Sequence, residues 1–319
     1  MNFVIKSLIN FFRSPQTKIF FPIQKEKFTH TQAIIRAFYA IIFFFSITNI
    51  PFWSQYLNKT ELAPLWPVYW LNYVNIYWGI TAILWFHLIG GFLAVTCVRW
   101  RTARILVFLS LLEFLALKNS FGKIGHSDHL SLLLSFVLIF LPFGWNSFKN
   151  NKSIRIATLM VFSGCQALIM LTYTMSGLWK IIGIFYQAAL GQVHALAPKA
   201  LALQIADHLI GLNLTSYFGS WLIENYYVGW PLMIGNLYLQ FFSLWAAFRP
   251  SLHMLWGCSL ILFHLATQLT MNINFSNNCL WLALFFLCSP FAPKSFNWRQ
   301  IIQDLPLIGL LFSKYVFAK

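Results

Sequence analysis

LIMLTYTMSGLWKIIG, residues 168–183, is a long apolar run interrupted near its end by one lysine, Lys180, between a tryptophan and an isoleucine. An ammonium placed there either anchors a helix end or does chemistry, and the surroundings decide between the two. The chain as a whole is 59% hydrophobic and 9% charged, with a mean hydropathy of +0.68. That leaves too little polar surface to cover a water-soluble globule of 37.0 kDa. The run is therefore read as part of a membrane-spanning helix, and the expected fold class is all-α, a polytopic membrane bundle.

Crossing about 30 Å of hydrocarbon takes roughly 20 helical residues. Apolar segments of about that length occur near 33–53, 77–97, 103–119, 128–145, 156–180, 229–248, 252–273 and 277–291. The expectation is about eight transmembrane helices. The segment 103–119 is short and carries Glu113, so it also reads as a tilted or buried helix. Residues 1–32 carry five Lys/Arg between two broken apolar patches, the pattern of a cytoplasmic segment lying on the membrane surface rather than a cleaved signal peptide. Residues 33–292 then form one transmembrane domain with a long external connection at 181–228, and 293–319 a cytoplasmic tail.

With the first span running outward, 17 of the 22 Lys/Arg fall inside; Lys59, Lys118, Lys123, Lys180 and Lys199 fall outside. A bias of that size orients a membrane protein with both termini cytoplasmic. It also accounts for a net charge of +15 through anionic lipid headgroups rather than nucleic acid, for which no binding motif is present. The five cysteines have no CxxC spacing and point to neither disulfides nor metal.

Lys180 then lies near the outer end of the fifth span, where a lysine can snorkel to the interface. Its company favours more. Thr172, Ser176 and Lys180 recur every four residues and share one helix face, with Gly177 permitting close approach of a neighbour. GKIGHSDHLSLL, residues 122–133, places His126 and His129 on one face beside Asp128, and FHLATQLTMNINF, residues 263–275, carries His264, Gln268 and Asn272 at four-residue spacing. Each has a bland reading, an N-terminal cap for His–Asp and interhelical glue for the stripes. Together, three polar groups at one membrane level point to a cavity or pathway. Two imidazoles with Asp128 or His264 as a third ligand make a weak metal set, and no metal is expected. No GxSxG is present for nucleophilic hydrolysis. Acid–base chemistry fits best, because an amine in an apolar setting can work as a neutral base.

TYTMSGLWKI (172–181), GHSDHLSLLLSFVLIFLP (125–142) and FHLATQLTMNINFSNNCLWLALFFLCSP (263–290) together resemble the membrane domain shared by vitamin K-dependent gamma-carboxylases and the bacterial HTTM (horizontally transferred transmembrane) proteins. The resemblance covers roughly residues 30–292. It implies that Lys180 is the base that deprotonates a reduced vitamin K or another lipid quinol, with Trp179 where that family has a further lysine. It also implies a supporting histidine at His126 or His129. Thr172, Ser176, His264, Gln268 and Asn272, from the stripes at the same membrane level, are the expected substrate-binding residues. The carboxylases carry a large lumenal domain after their last span, against about 27 residues here. The expectation is therefore a quinol-oxidising or epoxidising half-reaction in a bacterial plasma membrane, with gamma-carboxylation itself in doubt. A subgroup similar to toxin-maturation membrane proteins of sporulating bacteria implies a different role, maturation or export of a small secreted peptide. A catalytically silent scaffold is the third reading. Expected partners are membrane lipids and such a peptide, with no nucleic acid.

Overall fold

The computed structural model describes residues 25–59, 61–122, 124–147 and 151–309. Most of the expected N-terminal surface segment, its first 24 residues, lies outside them, as does the end of the tail from residue 310. Among the described residues every regular element is helical. In chain order the elements are α1 (Lys25–Thr48), α2 (Trp53–Leu57), a 3-10 segment (Trp66–Tyr73), α3 (Ile76–Thr96), α4 (Arg101–Asn119), α5 (His129–Leu138) and α6 (Lys152–Ala189). There follow α7 (Ala200–Gly211), α8 (Tyr217–Glu224), α9 (Tyr226–Phe241), α10 (Ser243–Ala247), α11 (His253–Met271), α12 (Ser276–Leu282) continued by a π turn (Ala283–Leu287), and α13 (Trp298–Asp304).

Four helical stretches are long and apolar enough to cross a membrane: Glu26–Leu57, Ile76–Thr96, Lys152–Ala189 and Pro250–Met271. This corrects the expected eight. Each of the other four segments does contain helix, but each falls short for a local reason. In 103–119, α4 carries Arg101, Arg104, Glu113 and Lys118 and is too polar. In 128–145 only the ten residues of α5 are helical, about 15 Å of rise. The chain then turns through Pro142 and Gly144, whose φ of 80° is a left-handed conformation open to glycine. The run 229–248 is broken at Phe242 between α9 and α10. In 277–291, α12 loses register in the π turn and ends before Pro290.

The helical segments nonetheless alternate in direction between two ends of the bundle. At one end Gln32 and Arg36 near the start of α1 donate to the carbonyls of Trp145 and Asn146. Nearby along the same end, His253 at the start of α11 is bonded to Ser289 beyond the π turn. At the other end Lys118 meets Asp128, Asn277 meets Asp128, and Ala63 N–H donates to Ser120 O. The first will be called the N end, because α1 starts there.

Helix packing inside a bilayer relies on close contact between small residues, since lipid tails compete for apolar surface. α3 shows this twice: a Cβ on Gly90 would collide with Ser110 of α4, and one on Gly91 with Ser46 of α1. The main core joins α1, α5, α6, α11 and α12 through Phe38, Trp281, Phe285 and Phe162, all fully buried. Phe162 and Phe285 stack with centroids 5.2 Å apart. A second cluster packs Val68 and Leu71 of the 3-10 segment over α3 and α4, and a third packs α7 and α8 against the end of α11. Outward faces such as Trp85, Ile89 and Phe92 on α3 stay exposed and apolar, which suits lipid rather than water.

α6 is the spine. It is 38 residues long, about 57 Å, so it outreaches a 30 Å hydrocarbon core. Asn151 caps its start by accepting from Ile154 N–H at 2.9 Å. α6 continues nine residues past Lys180 to Ala189, so the connection expected at 181–228 begins inside the helix.

Candidate functional site

The site is best built from α6. Gly177 brings this helix against α9 so closely that a Cβ there would lie 2.6 Å from Phe241 N and 2.8 Å from its Cα. Those are backbone atoms, which cannot swing aside. The approach sets Lys180, one turn further on, beside the buried Gln240, and its Nζ donates to Gln240 Oε1 at 2.6 Å. Among the described residues no carboxylate pairs with Lys180. Lys180 is half-buried, whereas Trp179 is 76% exposed and faces outward.

We expect Gly177→Ala to push α9 off α6, lowering stability by about 1–3 kcal/mol as overpacking does. It should also separate Lys180 from Gln240. Thermal unfolding in detergent checks this, and a melting temperature equal to wild type would contradict the close approach.

Two turns before Lys180 on the same face, about 10 Å along the axis, stands Tyr173. Its hydroxyl pairs with His264 Nε2 at 2.7 Å. Both side chains are buried, and His264 Nδ1 has no partner. A neutral phenol donates to Nε2, which leaves the ring proton on the unpartnered Nδ1. Phe275 lies against the imidazole with centroids 4.8 Å apart.

The remaining expected residues divide. Thr172 spends its hydroxyl on Ile169 O of its own helix, at 2.7 Å, and Ser176 is exposed. Gln268 and Asn272 are exposed as well, and Asn272 ends α11 in a left-handed conformation with φ 57°. The physical reason is angular: each four-residue step drifts about 40° around a helix, so two steps carry Asn272 about 80° away from His264. His126 and His129 approach each other, Nδ1 to Nδ1 at 3.4 Å. Asp128 between them does not cap α5. Its carboxylate takes Lys118 at 2.6 Å and Asn277 at 2.5 Å.

The structure thus makes three neighbouring polar groups, Lys180–Gln240, Tyr173–His264 and His126–His129 with Asp128, in place of one hydrogen-bonded cluster. The second and third are linked through the turn that carries Phe275 and Asn277. Among the described residues no three His, Cys, Asp or Glu side chains converge to hold a metal ion. All five cysteines are free.

Three partners were not singled out from sequence. Tyr173 sat inside the quoted run, and a buried tyrosine needs a hydrogen-bond partner, which was the available signal. Gln240 is a lone amide in LYLQFFSLW, residues 237–245. Thr174 accepts from Leu244 N–H at 2.8 Å, satisfying a backbone donor exposed by the break between α9 and α10. No family model matches the chain, and no curated protein or solved structure matches it either.

Proposed function

We propose that the chain is a multi-pass protein of a bacterial plasma membrane with both termini cytoplasmic, and that Lys180 is a base acting on a lipid-soluble quinol of the vitamin K class. The observation that carries the reading is the setting of Lys180: half-buried, held by a neutral amide and without a carboxylate partner among the described residues. A neutral amine that gives one N–H to Gln240 keeps its lone pair for a proton. The quinol hydroxyl transfers its proton to Nζ. The resulting quinolate, far easier to oxidise than the quinol, passes two electrons and its second proton to dioxygen, and Nζ returns the first proton, leaving quinone and hydrogen peroxide.

The test is purified protein in lipid nanodiscs with reduced naphthoquinone and dioxygen, scored for quinone and epoxide. Oxidation faster than in empty nanodiscs is expected. A rate equal to the empty discs removes the base, and maturation of a small secreted peptide becomes the leading role.

The orientation draws on the gathering of Arg36, Arg99, Arg101, Arg104, Arg249 and Lys294 toward the N end. The opposite end then faces out, and with it α7 and α8. Tyr217 is 82% exposed there, so Tyr217→Cys, in a chain whose own cysteines are replaced by alanine, should react with an impermeant maleimide added outside intact cells. Labelling only after the membrane is opened would reverse the orientation.

A further inference from the structure

We propose a second site at the N end, far from Lys180, in which Arg99 and Arg101, backed by Arg104, bind the phosphate of a phosphoester. The ligand chemistry is a phosphate anion, whose sources are a phospholipid headgroup or free phosphate.

Arg104 is the starting point because it is 1% exposed and yet cationic. Its Nη1 donates to Val98 O at 2.9 Å and Arg99 O at 3.1 Å, and its Nη2 to Leu141 O at 2.6 Å and Ile139 O at 3.3 Å. Four carbonyls satisfy the two terminal nitrogens, but Nε is buried with no partner. Carbonyl oxygens share the hydrogens without neutralising the charge. Among the described residues no carboxylate pairs with Arg99, Arg101 or Arg104. An uncompensated buried cation is costly, and an anion close by offsets that cost.

The space for one is present. A cleft of about 320 Å³ is lined by the three arginines and by residues 139–143. Arg99 and Arg101 are exposed at its mouth, and their guanidinium groups are steadied over aromatic rings, Arg99 4.9 Å from the Trp100 centroid and Arg101 5.8 Å from that of Phe140. α4 starts at Arg101, and its cap position, Trp100, supplies no side-chain acceptor, so the first N–H groups of a 19-residue helix stay open. Guanidinium forks together with a helix N-terminus suit phosphate oxygens in particular.

The rim names the favoured source. Phe143 is 83% exposed and Phe140 55%, and both stand beside the arginines. Aromatic side chains with a cationic group beside them are what a helix end presents at headgroup level, and a phospholipid would set its acyl chains against these rings while its phosphate enters the cleft. Scattered positive charge placed only to orient the chain would need neither the buried guanidinium nor the cleft.

The experiment compares wild type with Arg99→Gln/Arg101→Gln, which leaves Arg104 and its carbonyls in place. Native mass spectrometry measures retention of phosphatidylglycerol against phosphatidylcholine, and thermal unfolding in neutral detergent is followed with phosphatidylglycerol or inorganic phosphate added. Saturable phosphatidylglycerol binding by wild type, weakened about tenfold or more in the double variant at an unchanged ligand-free melting temperature, supports the site with a lipid as its source. The same pattern with inorganic phosphate alone supports it with free phosphate as the source. Equal binding by wild type and variant, or no saturable binding of either by wild type, overturns it.

Discussion

Lys180→Arg is expected to be as inactive in naphthoquinol oxidation as Lys180→Ala, with at least about a 100-fold loss of turnover, the usual contribution of a positioned base. Both variants should retain the wild-type melting temperature to within a few degrees. Arginine keeps the length and the ability to donate to Gln240, but its guanidinium is permanently protonated and cannot accept the quinol proton. The pair therefore separates two roles that alanine alone would confuse. A lysine that merely snorkels to the interface is replaced by arginine without loss, because both carry an apolar stem and a cationic tip. Full turnover in Lys180→Arg would assign Lys180 to anchoring, and the Gln240 contact would become a helix-packing hydrogen bond.

The largest structural effect should come from Arg104→Leu. The guanidinium ties the end of α3 to the end of α5 by donating to Val98, Arg99, Ile139 and Leu141, and leucine would leave those carbonyls without it, three of them in buried bonds. Each carbonyl left unsatisfied costs about 1–3 kcal/mol, so a total loss of about 3 kcal/mol or more is expected even if some find water. Expression in the membrane fraction and thermal unfolding in detergent measure it. Arg104→Lys should fall between wild type and leucine, because one ammonium offers three donors and no planar fork. Arg99→Gln and Arg101→Gln, exposed and free of these bonds, should unfold like wild type. If Arg104→Leu did so too, the clamp would contribute nothing to stability.

Much of the fold was legible before any coordinates. Composition excluded a soluble globule, and the positions of the apolar runs located helix in every one of the eight segments. What failed was length. A hydropathy window counts Leu138 to Trp145 as a continuation of α5, because leucine, phenylalanine and tryptophan are apolar in any conformation. It does not register that Arg104 draws two carbonyls of that stretch out of helical use, or that Gly144 turns the chain back. The same limit explains the break at Phe242, where Thr174 on another helix satisfies the freed N–H of Leu244.

The polar residues divide along the same line. Gly177 and Lys180 could be read from sequence as a close-packed glycine one turn below a lysine, since both statements concern a single helix. Four-residue spacing was a weaker guide, because a drift of about 40° per step turns Gln268 and Asn272 away from the face that buries His264. That the chain is helical and membrane-like was determined by the sequence alone, because hydrophobic length and residue type are local properties. That Lys180 meets Gln240, that Tyr173 meets His264, and that Arg104 holds the ends of two other helices were decided only by the tertiary structure. These pairs lie 60, 91 and up to 37 residues apart, and which of them touch depends on helix rotation and crossing, which no single segment specifies.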